Sequence, residues 1–218
     1  FTYKMEDHQV IKIGVSMRIV EEASYSEIRD AIAHDWITFF AKEFPNIIPV
    51  FLPNSAALAL KIFRALNLDG LILTGGNNLG EYPQRDDSEA SLLKHCTNHL
   101  IPVLGICRGM QLIASYFQEQ IKPISSANHV ATEHAVQKIN PSRFFSQTPQ
   151  FVNSYHNQGL TQIKSNDLIA IYKTSDNTIE AIEHFKLPIV GIMWHPEREI
   201  QISQSDRHLI HILFFKDS

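Results

Sequence analysis

Short β-branched runs alternating with stretches of helical periodicity are what most narrow the fold of this chain. Val10 to Met17 reads as a buried strand, followed by Ile47 to Leu52, Leu68 to Leu73 and Ile101 to Ile106. Between them apolar residues recur every three or four positions, the spacing of one helix face. The first helix is expected to start at Ser24. Glu27 would complete a capping box, with Ile28, Ile32, Trp36, Phe39 and Phe40 along the buried side. Ala56 to Leu66, Ser88 to Asn98 and Arg108 to Phe117 read as further helices, and Asn77 to about Asp87 as a polar loop. A β-α-β-α order requires crossover connections, and so a parallel sheet with helices on both faces.

The second half is less regular. Phe151 to Ser154, Leu168 to Lys173, Ile179 to His184 and Ile189 to Trp194 read as strands, and Ser203 to Phe215 as a closing helix. No repeat, low-complexity tract or Gly/Ser linker interrupts the chain, so one domain over residues 1–218 is expected.

Composition mainly excludes. Hydrophobic residues at 44% and charged residues at 19% are ordinary for a globular domain. A formal charge of −4 gives no electrostatic reason for a nucleic-acid or acidic-membrane partner. It does allow a small anionic substrate held by a local cluster of arginines. Two cysteines, Cys96 and Cys107, imply no disulfide framework and fit a reducing cytoplasm. Phe1 to Val10 lacks the long apolar region of a secretory signal, and Met5 stands as a candidate natural start after four added residues. No window approaches the roughly 20 apolar residues that span a bilayer.

The chemistry concentrates in Pro102-Val-Leu-Gly105-Ile-Cys107-Arg-Gly109-Met-Gln111, where an apolar strand runs through Gly-x-Cys-x-Gly into a helix. This is the thiol form of a nucleophile elbow. A sharp strand-to-helix turn strains the nucleophile's backbone, and flanking glycines remove side chains that would collide there. The unpaired amides and dipole of the helix N-terminus favour a thiolate over a thiol. Cys96 has no such surroundings and reads as core.

Ile189-Val-Gly191-Ile-Met-Trp194-His195-Pro196-Glu197 ends a second apolar strand in His-Pro-Glu. A cysteine nucleophile needs a base within reach, and that base needs a carboxylate to fix its tautomer. Pro196 is expected to keep the segment extended, so that His195 and Glu197 lie on one side of it. A third strand ends at Thr74-Gly75-Gly76, where backbone N–H groups can approach a developing oxyanion. Of the eleven histidines, His129 with His134 and His208 with His211 form close pairs, but neither has a third ligand in register. No metal or organic cofactor is expected.

Together these segments resemble the class I glutamine amidotransferase family and its hydrolytic branch, the γ-glutamyl hydrolases. The likeness rests on Thr74-Gly75-Gly76, the elbow from Gly105 to Gln111, Val152-Asn-Ser154-Tyr-His156-Asn-Gln158 and His195-Pro196-Glu197, in family order. It implies an α/β three-layer sandwich with a mostly parallel central sheet of flavodoxin-like type. It also implies a catalytic triad of Cys107, His195 and Glu197, with an oxyanion hole from the N–H groups of Gly76 and Arg108. Gln111, Ser154, Tyr155 and His156 would grip the α-amino and α-carboxylate ends of a glutamyl group. The expected reaction is cysteine-dependent hydrolysis of a γ-glutamyl amide through a glutamyl thioester.

The unbroken stretch from Val152 to Gln158 is closer to stand-alone hydrolases than to subunits that feed ammonia to a synthase. A narrower likeness covers Ser16-Met-Arg18, Tyr25 to Phe40, Asn128-His129-Val130 and Met193 to Glu199. These are similar to a branch that hydrolyses γ-glutamyl amidates of cytidine diphosphate in capsule modification. For such a leaving group, Arg18 past the first strand and Arg85 in the loop after the glycines are the expected phosphate contacts. Other γ-glutamyl amines or peptides, and ammonia supply to a synthase, remain the alternatives. The expected partner is a small-molecule substrate, met by a monomer or homodimer with no nucleic acid and no membrane. One departure stands out. Many relatives carry Gly-Gly after the elbow helix, where this chain has Phe117-Gln118-Glu119-Gln120.

Overall fold

The computed structural model describes residues 9–146 and 151–215, so the candidate start at Met5 lies outside the described residues. Strands β1 (Ile11–Ser16), β2 (Ile47–Leu52), β3 (Gly70–Leu73) and β4 (Val103–Ile106) alternate with helices α1 (His34–Glu43), α2 (Ala56–Ala65), α3 (Pro83–His99) and α4 (Arg108–Tyr116). After them come β5 (Gln137–Lys138), β6 (Leu168–Lys173), β7 (Ile179–His184), β8 (Ile189–Ile192) and helix α5 (Gln204–Phe214). They build one eight-stranded sheet in the order β2-β1-β3-β4-β8-β7-β6-β5. The pairs from β2 through β8 are parallel, and β7, β6 and β5 extend the sheet antiparallel. This is the mostly parallel α/β sheet that the alternation implies, and its parallel part has the doubly wound order of flavodoxin-like folds.

Neighbouring residues of a strand point to opposite faces, and the core divides accordingly. Ile72, Leu104 and Ile106 face the layer of α1 and α5, with Trp36, Phe39, Phe40, Leu209 and Leu213. Leu71, Leu73 and Val103 face the layer of α2, α3 and α4, with Phe63, Leu92, Met110 and Ile113. Each such side chain, fully buried, contributes about 1.5–3 kcal/mol. The sheet's carboxyl edge is thereby held as a rigid platform.

The expected helix start at Ser24 is overturned. Arg18–Glu21 and Ile28–Ala31 pair as an antiparallel hairpin, and α1 begins ten residues later, at His34. Local charge chemistry decides this. Glu22 accepts from the Ser24 N–H and hydroxyl, Glu27 pairs with Arg29, and Ile28 is left 59% exposed. Asp30 then accepts from the backbone and side chain of Asn54, tying the hairpin to the loop before α2. The polar loop after β3 is also shorter than expected. Pro83 takes the first position of α3, where its missing N–H costs nothing, so Arg85 and Asp86 are helical.

Candidate active site

β4 ends at Ile106, and the next residue turns the chain with φ +52° and ψ −106°. That residue is Cys107, a side chain held in a region that L-residues avoid. The turn is possible because the chain closes tightly around it. A Cβ on Gly109 would lie 2.1 Å from the Leu73 carbonyl oxygen, and one on Gly105 would lie 2.5 Å from the Gly109 backbone. The elbow read from the sequence is therefore the structure's geometry. Cys107 is 7% exposed, buried beneath the glycine turn at the sheet edge. Cys96 is sealed in the core, where burial pushes its thiol up to about 12.

His195 stands at the end of β8, the strand beside β4. His195 Nδ1 and Glu197 Oε1 are 2.6 Å apart, both residues buried. The segment is not extended as expected. Pro196–Arg198 forms a 3-10 turn, since proline's fixed φ starts a helical turn, and this turn carries Glu197 back to the ring. Asn153 holds the backbone from the other side, accepting from the His195 N–H at 2.8 Å and donating to its carbonyl at 2.9 Å. The buried His195 Nε2 has no hydrogen-bond partner among the described residues. Gly75 packs against both side chains: a Cβ there would lie 2.8 Å from the His195 ring and 3.4 Å from the Cys107 Cβ. Burial, the largest influence on His195, pulls its pKa down, but the Glu197 charge, the neighbouring Cys107 sulfur and the Glu197 hydrogen bond push it up to about 10.

Thr74, Gly75 and Gly76 are shaped from below by a residue expected elsewhere. Arg85, expected to meet a phosphate, is fully buried, because α3 starts early enough to carry it inward. Its guanidinium donates to the carbonyls of Thr74 at 2.9 Å and Gly75 at 3.1 Å, and also to that of Gly76. A trans peptide points its N–H opposite its C=O, so fixing the Gly75 carbonyl downward turns the Gly76 N–H toward the cleft. Glu89 balances the charge, accepting from Arg85 at 3.0 Å and from Arg108, which also pairs with Asp86. Burial lowers the Arg85 pKa and Glu89 opposes that. The Arg108 N–H opens α4, where amides have no intrahelical acceptor.

The expected glutamyl-gripping residues divide. Tyr155 stays at the cleft, 43% exposed, with its ring edge on His195 at 5.6 Å and the Arg198 guanidinium 4.2 Å above it. Gln111 is buried and donates to the Gln158 carbonyl at 3.0 Å. Ser154 is buried and donates to the His129 carbonyl at 2.7 Å. His156 is turned inward, 3.4 Å from Glu180, because strand alternation sends it to the face opposite Tyr155. In these positions the three support the strand rather than line the opening.

Arg18 lies over the glycine turn, its Cδ 3.0 Å from where a Gly76 Cβ would stand. With Trp36, Gly76, His195 and Arg198 it borders the cleft. Arg198 and Trp36 are not among the site residues expected from the sequence, although Arg198 directly follows Glu197 and was legible there. The departure after the elbow helix is structural: Gln118 adopts φ +66°, and buried Glu119 accepts from the N–H groups of Lys164 and Ser165. Of the two histidine pairs, His208 and His211 lie on α5 with His211 exposed, whereas His129 and His134 meet His156 around Glu180.

A strained cysteine between strand and helix, beside a histidine from the neighbouring strand, on a sheet of this order, defines a glutamine-amidotransferase-type α/β domain. The sequence matches the Peptidase C26 family over residues 9–197, and the chain belongs to that family. Among its relatives, the gamma-glutamyl-CDP-amidate hydrolase of Campylobacter jejuni subsp. jejuni serotype O:2 is 38% identical over 194 residues, 86% of this chain and 90% of the relative. The glutamine-hydrolyzing GMP synthase of Streptococcus mutans serotype c is 31% identical over 137 residues, 62% of this chain and 26% of that longer one. A glutamine amidotransferase structure from Thermotoga maritima superposes with a TM-score of 0.64 at 16% identity, covering 94% of this chain and 83% of the other. At that identity the likeness is one of fold.

Proposed function

We propose that this chain hydrolyses a γ-glutamyl amide through a thioester on Cys107, with γ-glutamyl-CDP-amidate as substrate and glutamate and cytidine diphosphoramidate as products. The observation that carries the reading is the strained Cys107 beside a histidine whose far nitrogen is bound to Glu197. The relative named for this reaction, alike over nearly its whole length, supports the choice of substrate.

His195 holds the proton that Cys107 has given up, and the thiolate sulfur attacks the γ-carbonyl carbon. The oxyanion forms against the N–H groups of Gly76 and Arg108, each contributing about 2.7–4 kcal/mol. The C–N bond then breaks, and His195 passes its proton to the departing nitrogen. Water enters, gives a proton to the same imidazole and adds to the thioester carbon. The C–S bond breaks, the sulfur leaves as a thiolate beside the protonated imidazole, and glutamate departs. Glu197 fixes the imidazole's tautomer throughout. Tyr155 borders the glutamyl pocket that the buried Gln111, Ser154 and His156 shape from behind.

Arg18 and Arg198 flank the opening, where two guanidiniums suit a diphosphate better than ammonia or a simple amine. That favours a nucleotide leaving group over glutamine. Among the described residues no helix is long and apolar enough to cross a membrane, and both cysteines are free. A cytoplasmic enzyme of one domain, acting on a nucleotide intermediate, accords with both.

The test is mass spectrometry of γ-glutamyl-CDP-amidate, glutamine and γ-glutamyl-amines incubated with wild type and Cys107→Ala. The expected result is release of cytidine diphosphoramidate by wild type alone, with the other compounds turned over far more slowly. Preferential hydrolysis of glutamine, stimulated by an added synthase, would overturn the substrate assignment.

A further inference from the structure

On the face of strand Phe151–Tyr155 opposite His195 lies a second cluster of histidines and a carboxylate. Asn153 and Tyr155 reach toward His195, whereas Ser154 bonds the His129 carbonyl, and the His156 N–H donates to that same carbonyl at 2.9 Å. Behind them, His129, His134 and His156 surround Glu180, which stands fully buried inside β7.

The ring tautomers follow from what each outer nitrogen touches. His134 Nδ1 lies 3.3 Å from the Asn128 carbonyl, and His156 Nδ1 lies 3.2 Å from the Gln158 carbonyl. Carbonyls only accept, so both Nδ1 atoms carry the proton. His129 Nε2 lies 2.9 Å from the Asp176 carboxylate, so there Nε2 carries it. The remaining nitrogens, His129 Nδ1, His134 Nε2 and His156 Nε2, turn bare lone pairs toward the two oxygens of Glu180. Those five atoms are buried, and none has a hydrogen-bond partner among the described residues. Five acceptors facing one another in a dry interior repel, and a negative charge among them is costly unless a cation sits there.

Two cations could fill the role: added protons on the rings, or a metal ion. The separations decide. Nitrogen to carboxylate oxygen is 3.6 Å for His129, 3.4 Å for His134 and 3.4 Å for His156. A charge-assisted hydrogen bond closes to about 2.7–2.9 Å. A tetrahedral ion with bonds of about 2.0–2.1 Å holds its ligand atoms about 3.3 Å apart. The nitrogen-to-oxygen separations match that spacing, and the rings would close further around an ion. Ligand atoms of His129, His156 and Glu180 lie within 4.8 Å of one another, and His134, the most exposed at 14%, approaches the other carboxylate oxygen.

We propose that His129, His156, Glu180 and His134 form a structural site for a divalent first-row transition ion of the zinc class. Three imidazoles and one carboxylate suit zinc and disfavour calcium or magnesium, which take oxygen shells. Four protein ligands leave no open position, which marks a structural rather than a catalytic centre. Asp176 orients His129, and the Asn128 and Gln158 carbonyls orient the other two rings. A cleft bordered by Asn128, His129, His134, Thr174 and Asp176 gives the ion a way in. Bound there, the ion fastens the segment that positions His195 to β7.

The test uses the full chain carrying Cys107→Ala, so that no ion can be held by that thiolate. The protein is stripped with a chelator, titrated with zinc or cobalt, and followed by metal analysis, visible absorption and melting temperature. Expected are about one ion per chain, the intense absorption of tetrahedral cobalt, and a melting temperature that rises on loading. Adding Asp176→Asn is expected to weaken affinity about 10–100-fold, and adding Glu180→Gln or His156→Ala more. Should Glu180→Gln fail to fold, Asp176→Asn and the cobalt spectrum carry the test. No binding at about micromolar zinc, or binding that Asp176→Asn and Glu180→Gln leave unchanged, would overturn the site and assign Glu180 to protonated histidines. Hydrolysis is not the readout, so failure here leaves the proposed reaction standing.

Discussion

Two histidine–carboxylate groups lie back to back across strand Phe151–Tyr155, and they are built on opposite plans. His195 and Glu197 are two residues apart on one turn, and their contact closes to 2.6 Å. His129, His134, His156 and Glu180 come from four segments, and no nitrogen approaches the carboxylate more closely than 3.4 Å. The first pair is complete in itself and leaves one nitrogen for a thiol. The second group is complete only around something else. The contrast is visible in the orphaned buried atoms: seven of the eight among the described residues belong to these two places, five of them around Glu180. Buried polar atoms left unpaired call for a partner, and the two proposals supply one at each place: a reactant at the first and an ion at the second.

The strongest way to break the comparison is to show that the first site is not the reactive one. Cys107→Ala is expected to lower kcat by about 10⁵-fold or more while leaving metal content intact. Retained turnover, measured by release of glutamate, would remove the thiol from the mechanism. Glu197→Gln keeps the shape but not the charge, and is expected to cost about 10⁴-fold in kcat with the fold preserved. A loss confined to KM would mean that Glu197 serves binding instead of the imidazole. Arg85→Lys keeps the charge but cannot span three carbonyls, so kcat should fall about 10–100-fold with KM little changed. An unchanged kcat would show that the glycine turn keeps its shape without the guanidinium.

How far each site was legible follows from this same difference in plan. The elbow and the His-Pro-Glu pair are contiguous strings, and contiguity is what a sequence displays. The strands were legible for a related reason: Ile47–Leu52 and Leu168–Lys173 are apolar runs bounded by breakers, and both strands form at the expected bounds. The hairpin Arg18–Glu21 with Ile28–Ala31 was not, because Ile28, Ile32 and Trp36 satisfy a helical spacing that pairing with a neighbouring strand overrides. The Glu180 cluster was half visible. His129 and His134 stand five residues apart, but His156 and Glu180 join them only through the pairing of strands Val130–Ala135 and Phe151–Tyr155 and the course of β7. Arg85 failed for a smaller reason, a helix that starts five residues earlier than its periodicity suggested.

The smallest expected effect bears on the self-contained character of the first pair. His195 is held up at about 10 from an ordinary 6.5, so the folded state binds its proton more tightly than the unfolded chain does. The stabilisation this gives is complete below about pH 6.5 and is lost as the pH rises through about 10. Urea unfolding across that window should show wild type losing stability that Glu197→Gln never had, because the carboxylate's charge is the leading cause of the upward shift. The two curves should converge toward pH 10. Parallel curves would mean that Glu197 does not hold the proton on His195. The Cys107 thiol would then be the group that keeps the ring charged, and the resting pair would be sulfur and imidazole with the carboxylate a bystander.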